Sequence, residues 1–158
     1  MKWIKTYIQT LLESSNQHDL NERLIAACTH GSIEEIRMLI EKGADVNAED
    51  TQKNTSLHAA ASFGHIEPVK LLLQRGAHVD VENVHGRTPL WYASGNGQRF
   101  HTTDIAKVLI LHGADPLKAF DSMIKFNDFF EGDLSWYNGD IQKLERKFIT
   151  NSIRRKLF

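Results

Sequence analysis

The chain repeats itself. Leu24, Leu57 and Leu90 stand 33 residues apart, Ala27, Ala60 and Ala93 keep the same step, and so do Gly31, Gly64 and Gly97. Gly43-Ala44 recurs 33 residues on as Gly76-Ala77, then 37 further on as Gly113-Ala114, so the third unit is longer by four. The surplus falls within Gly97 to Thr102, because the register is restored at Ile105-Ala106-Lys107-Val108-Leu109-Ile110. A fixed period of this length marks a stacked array: each unit is too small to hide its own apolar face and does so against its neighbours.

Every unit has the same internal order. A segment of small residues (Leu57-His58-Ala59-Ala60-Ala61) ends at a Gly, and a second segment follows with apolar residues at helical spacing: Ile33, Ile36, Leu39, Ile40 in one unit and Ile66, Val69, Leu72, Leu73 in the next. It stops at Gly43 or Gly76, where a left-handed helix cap favours a residue without a Cβ. Short extended pieces, Asp45-Val46-Asn47 and His78-Val79-Asp80, and a polar turn come next. The unit reads helix, tight turn, helix, hairpin. Alanine in the first helix permits close approach, and the Leu/Ile/Val helix supplies contact area.

These residues resemble the ankyrin repeat. Thr88-Pro89-Leu90 matches its T-P-L-H start, and Thr55-Ser56-Leu57-His58 does so with Ser for Pro. Gly43-Ala44-Asp45-Val46-Asn47-Ala48 matches its G-A-D-V-N-A end, and Gly64-His65-Ile66-Glu67 the G-H-x-E opening of the second helix. The likeness covers residues 17 to 118 and departs at Trp91, where the family has His, and in the enlarged turn after Gly97. It implies an all-α solenoid with divergent capping helices. The expected organisation is an N-terminal capping helix over 1–16, repeats over 17–49, 50–82 and 83–118, a degenerate fourth repeat or cap over 119–150, and a basic tail over 151–158. Gly139-Asp140-Ile141 echoes the second-helix opening of the earlier units, and Ile4, Ile8, Leu11 and Leu12 fit one helical face. A stack needs modified ends because each unit leaves a face open to its neighbour.

Composition excludes several function classes. Nineteen Lys and Arg against twenty Asp and Glu give a net charge of −1, so a global electrostatic grip on nucleic acid is not expected. The single cysteine, Cys28, leaves no internal disulfide framework and no multi-thiolate zinc site, and fits a reducing compartment. No stretch approaches the roughly 20 apolar residues of a membrane span. Lys5, Thr6, Gln9 and Thr10 interrupt the run a signal peptide needs. The expectation is a cytoplasmic monomer, placed in a host cytosol if it is a secreted effector, with no cofactor and no metal.

No catalytic constellation emerges either. The motifs H-E-x-x-H, Gly-Lys-Ser/Thr in a phosphate loop and G-x-S-x-G are absent. Cys28 aligns with Ala61 and Ser94 on the small-residue helix and reads as a buried, inert thiol. His58 lies in the T-x-L-H box, where the resemblance implies hydrogen bonds between neighbouring loops, and His65 follows the helix-turn Gly. A metal or ligand beside His85, His101 or His112 is the observation that would favour an enzyme.

The resemblance implies binding of a protein or peptide on the concave surface made by hairpin tips and first helices. On the repeat grid this surface takes Thr51, Gln52, Asn54, Ser62 and Phe63 from one unit and Val84, His85, Arg87, Gly95 and Asn96 from the next. The unit before contributes His18, Asn21, Thr29 and His30. Phe63 and Trp91 are the candidate anchors, since buried aromatics dominate interface energetics; for Trp91 the alternative is core filling at the His position. Leu39-x5-Asp45-Val46-Asn47 resembles the site that asparaginyl hydroxylases modify, with an unmodified Asn47 closing the hairpin as the alternative. The loop Gln98-Arg99-Phe100-His101-Thr102 is either a binding edge or a tolerated insertion.

The C-terminus is charge-segregated. Lys143, Arg146, Lys147, Arg154, Arg155 and Lys156 against Glu145 give residues 141–158 a charge of +5, which leaves −6 for the rest. Phe148, Ile149, Ile153, Leu157 and Phe158 supply an apolar complement. The segment is either the last helix of the stack, with cations near its C-terminal dipole end, or the active part of an adaptor or host-directed effector that the repeats position.

Overall fold

The computed structural model describes residues 2–95, 103–116 and 118–119. Six helices follow one another: α1 (Lys2–His30), α2 (Ile33–Glu41), α3 (Ser56–Ser62), α4 (Ile66–Gln74), α5 (Pro89–Gly95) and α6 (Thr103–Leu111). Among the described residues there is no strand, and the only β pairing is an isolated antiparallel bridge between Glu49 and Thr55. The chain is an all-α solenoid.

The helices form two rows. α1, α3 and α5 pack side by side, α2, α4 and α6 lie behind them, and each helix packs on its sequence neighbour: α1 with α2, α3 with α4, α5 with α6. Contact along the first row is closer than along the second. Small residues permit this: Ala27, Cys28, Ala60, Ala61, Ala93 and Ser94 are buried in the first row. Leu24, Leu57 and Leu90 are all fully buried at equivalent places, as are Leu39, Leu72 and Leu109 in the second row. At about 25 cal/mol per Å² of apolar surface, these recurring leucines and their neighbours form one continuous core in which no unit is complete alone.

Each second-row helix ends the same way. After α2, Gly43 N–H donates to the Ile40 carbonyl and Ala44 N–H to the Leu39 carbonyl, both at 3.0 Å. The pair recurs at Gly76-Ala77 and Gly113-Ala114. Gly43 has φ +96°, the left-handed conformation this pair of hydrogen bonds requires. Gly31 meets a second constraint. Its φ is +75°, and a Cβ there would come within 2.7 Å of the His65 ring, so the turn between α1 and α2 is tied to the next unit.

Two features differ from the sequence expectation, and the place of the insertion agrees with it. The helix predicted to end near residue 16 runs unbroken from Lys2 to His30. Asp45-Val46-Asn47 is a turn rather than an extended piece, because the Asp45 carboxylate accepts the Asn47 amide at 2.9 Å and the Asp45 carbonyl accepts the Ala48 amide. Seven residues separate α5 from α6 where three separate α3 from α4, which puts the four surplus residues in that turn. Residues 96–102 themselves, and the expected cap and tail beyond 119, lie outside the described residues. No helix among those described is long and apolar enough to cross a membrane.

Candidate partner-binding surface

The hairpin tips are built by their own side chains. Asp50 accepts the Gln52 amide at 2.8 Å and the Asn54 amide at 2.7 Å through one carboxylate oxygen, and its backbone N–H donates to the Asn54 carbonyl. One period later Asn83 accepts the His85 and Arg87 amides, and its N–H donates to the Arg87 carbonyl. The fourth position of this turn is left-handed in both: Lys53 at φ +59° and Gly86 at φ +67°. The tips also join each other, because Val84 N–H donates to the Gln52 carbonyl and Asn83 Nδ2 donates to Asn54 Oδ1 at 2.8 Å.

This divides the sequence-predicted residues. Thr51, Gln52, Val84 and His85 are exposed at the tips, and Phe63 is exposed at the end of α3. Ser62 is half-buried beside it. Asn54 is half-buried, its amide donating to Asp50 and accepting from Asn83, so it holds two hairpins together. Arg87 is half-buried with its guanidinium carbon 4.0 Å above the Trp91 ring, a cation–π pair. Trp91 is half-buried and meets Tyr92 edge-on, ring centres 4.9 Å apart; its indole N–H is buried without an acceptor. Trp91 therefore fills space at the junction as well as edging the surface. His18 and His30 are exposed and Asn21 and Thr29 half-buried on α1. Asn96, Gly97 and the 98–102 loop fall outside the described residues.

His58 shows why the T-x-L-H box is structural. Thr55 N–H donates to Nδ1 at 3.0 Å, with the Thr55 hydroxyl 2.9 Å from the same nitrogen, so Nε2 carries the proton and donates to the Arg87 carbonyl across the junction. Burial pushes its pKa below the ordinary value, against the opposing pull of the Arg87 and Val81 carbonyls and of Asp50 and Glu49. A neutral ring is what the geometry needs, since a protonated Nδ1 has no lone pair for the Thr55 amide. His65 likewise spans units, its Nε2 donating to the Thr29 carbonyl at 3.0 Å.

A second set of bridges runs along the turns that follow the second-row helices. Asn47 Nδ2 donates to the Gly76 carbonyl and its Oδ1 accepts the His78 amide. Asp80, one period on, accepts the Asp115 amide with both oxygens at 3.0 and 3.1 Å. In the first unit α1 substitutes for this residue with two: Gln17 donates to the Gly43 carbonyl and Asn21 accepts the Asp45 amide, both at 2.8 Å. The amide that the hydroxylase-site resemblance singled out, Asn47, is thus engaged at both ends in holding two units together.

Sequence reasoning missed Asn83 and Tyr92, whose hydroxyl accepts from Asn83 Nδ2 at 3.0 Å. The signal for Asn83 was present, since it stands one period after the Asp50 that builds the first tip. Among the described residues no group of His, Cys, Asp and Glu is placed to hold a metal. Burial pushes the Cys28 thiol up to about 12, partly offset by a hydrogen bond with Ser56, which suppresses the nucleophilic thiolate.

Electrostatics separates the two rows. From Leu24 to Ser32, from Thr55 to Ile66 and from Thr88 to Gly95 the chain has no Asp, Glu, Lys or Arg. The second-row helices and their caps carry Glu34, Glu35, Arg37, Glu41 and Lys42, then Glu67, Lys70 and Arg75, then Asp104 and Lys107. A family model described as ankyrin repeats (3 copies) matches residues 5–83 and 24–119 of the chain. No curated protein matches it.

Proposed function

Because the chain belongs to the ankyrin-repeat family, whose members are in general protein–protein interaction modules, we propose that it is a non-catalytic recognition module binding a protein or peptide on the concave face of the first helix row and the hairpin tips. The observation that carries this is the division of charge. Exposed surface on a soluble chain is ordinarily rich in Lys, Glu and Asp, whereas interface cores are depleted of them and enriched in aromatics and Arg. The first-row helices from Leu24 onward have that composition, with Phe63 at the end of α3 and Trp91 and Tyr92 on α5, while the tips beside them carry Lys53, Glu82 and Arg87. The scaffold is rigid for a physical reason: hairpin tips and junctions are closed by internal hydrogen bonds, so little ordering entropy is lost on docking.

Phe63 is the residue on which to test it. The residue is 44% exposed, so truncating it removes little from the core. Phe63→Ala is expected to weaken partner binding at least tenfold with an unchanged melting temperature, the size of a modest hot spot. Arg87→Ala is a less clean probe, because the guanidinium rests on Trp91 and its truncation also loosens the junction. Undiminished binding by Phe63→Ala, with Thr51, Gln52 and His85 substitutions equally silent, would remove this face from consideration.

A further inference from the structure

Resting on that reading of the face, we infer that its occupant is an amphipathic α-helix presenting an uncharged apolar side, rather than an extended or a charged segment. The first consideration is which backbone groups the face offers. An extended peptide docks by adding its hydrogen bonds to free groups of a sheet edge. Here the tip donors are already used. The amides of Asp50, Gln52, Lys53 and Asn54 donate within their own hairpin. Those of Asn83, His85, Gly86 and Arg87 do the same in theirs, and Val84 donates to Gln52 of the adjacent hairpin. The helices behind the tips satisfy their own amides. A strand laid here would find no free amide among these residues for its C=O groups, each left unpartnered at a cost of about 1–3 kcal/mol. A helix brings its backbone bonds with it.

The second consideration is charge. Ala26, Ala59 and Tyr92 hold equivalent positions on α1, α3 and α5, and no Asp, Glu, Lys or Arg lies from Leu24 to Ser32, from Thr55 to Ile66 or from Thr88 to Gly95. A partner carboxylate or ammonium buried there would be unpaired, which is unfavourable. The partner surface that meets these helix stretches is therefore charge-free, and an amphipathic helix supplies it while keeping its charges toward solvent and toward the charged tips at Lys53, Glu82 and Arg87. Size agrees with this. Helices pack about 8–10 Å apart, so α1 to α5 spans about 20 Å, the length of about 13 helical residues.

The test is selection of a displayed random library of peptides about 15 residues long on the full chain, with removal of those that also bind a Phe63→Asp variant shown by circular dichroism to be folded. The expected winners carry apolar residues at i, i+3, i+4 and i+7, gain helical circular dichroism on binding, and lose at least tenfold in affinity when a central residue becomes Pro. Winners that tolerate the Pro, or that dock through charged residues, overturn the helix inference while leaving the face as a binding site. Binders that never distinguish wild type from Phe63→Asp overturn the proposed face and this inference with it.

Discussion

The α3–α4 unit and the α5–α6 unit are built on one apolar skeleton and finished with different polar chemistry. Leu57 and Leu90, Ala60 and Ala93, Leu72 and Leu109 are interchangeable in place and burial. At the polar positions the units part. His58 is replaced by Trp91, Lys53 by Gly86, Asn54 by Arg87, and the preceding bridges are Asn47 for one and Asp80 for the other. His58 satisfies both ring nitrogens, whereas Trp91 covers more area and leaves its N–H unmatched. Asn47 both donates and accepts, whereas a carboxylate at Asp80 only accepts. Stacking thus tolerates exchange of the polar fittings as long as the leucine–alanine lattice is kept.

The sharpest way to break this comparison is to cut the lattice itself. Leu57→Ala and Leu90→Ala are each expected to cost about 3 kcal/mol in urea unfolding, the middle of the range for buried leucines. Costs that differ by more than the whole of that value would show that the two sites are not equivalent. A smaller effect separates the rings: His58→Phe is expected to cost about 2 kcal/mol because the buried Thr55 amide loses its acceptor. Trp91→Phe removes an unmatched donor but also part of the ring that packs on Tyr92 and under Arg87, and is expected to cost about 1 kcal/mol, less than His58→Phe.

His58 also gives the comparison a pH dependence. The unfolded chain protonates this imidazole near its ordinary pKa of about 6.5, while the folded chain resists doing so. Protons then bind preferentially to the unfolded state, so the His58 contribution is complete above about pH 6.5 and is lost as pH falls toward the lower folded value. The stability gap between wild type and His58→Phe is expected to narrow on acidification through that window. A gap independent of pH would remove the neutral, doubly bonded ring.

Exchanging the bridges sharpens the contrast further. Asp80→Asn supplies the donor that Asn47 uses on the Gly76 carbonyl, now directed at Gly113, and is expected to add about 1 kcal/mol. Asn47→Asp should lose a similar amount; opposite signs in chemical denaturation are the result that supports the assignment. The smallest effect lies at the tips. Lys53→Gly relieves a left-handed non-glycine residue and is expected to raise stability by about 0.5–1 kcal/mol, with a matching loss for Gly86→Ala, read as shifts in Tm.

Much of the solenoid was legible in the residues because its core obeys a period. Leu24, Leu57 and Leu90 announce equivalent surroundings, and the glycines at 43, 76 and 113 announce the helix ends. The exposure of Phe63 and of the tips followed from the same grid. What was not legible were the commitments of polar side chains across units. Asn54 reads as a free tip residue, yet its amide is spent on Asp50 and on Asn83, 29 positions away. Arg87 reads as a partner contact, yet its guanidinium lies on Trp91. The extent of α1 was also hidden, because its hairpin-like duty is divided between Gln17 and Asn21, which no repeat motif predicts.

The sequence by itself determined the unit, its helix pairing and the buried face, since each depends on local spacing and on which residue types avoid water. Only the tertiary structure decided which polar residues remain available to a partner and which lock one unit to the next. A hydrogen bond from Asn47 to Gly76, or from His58 to Arg87, exists only when two units are stacked to within a few tenths of an ångström. Packing of the whole row fixes that distance, and no period along the chain encodes it.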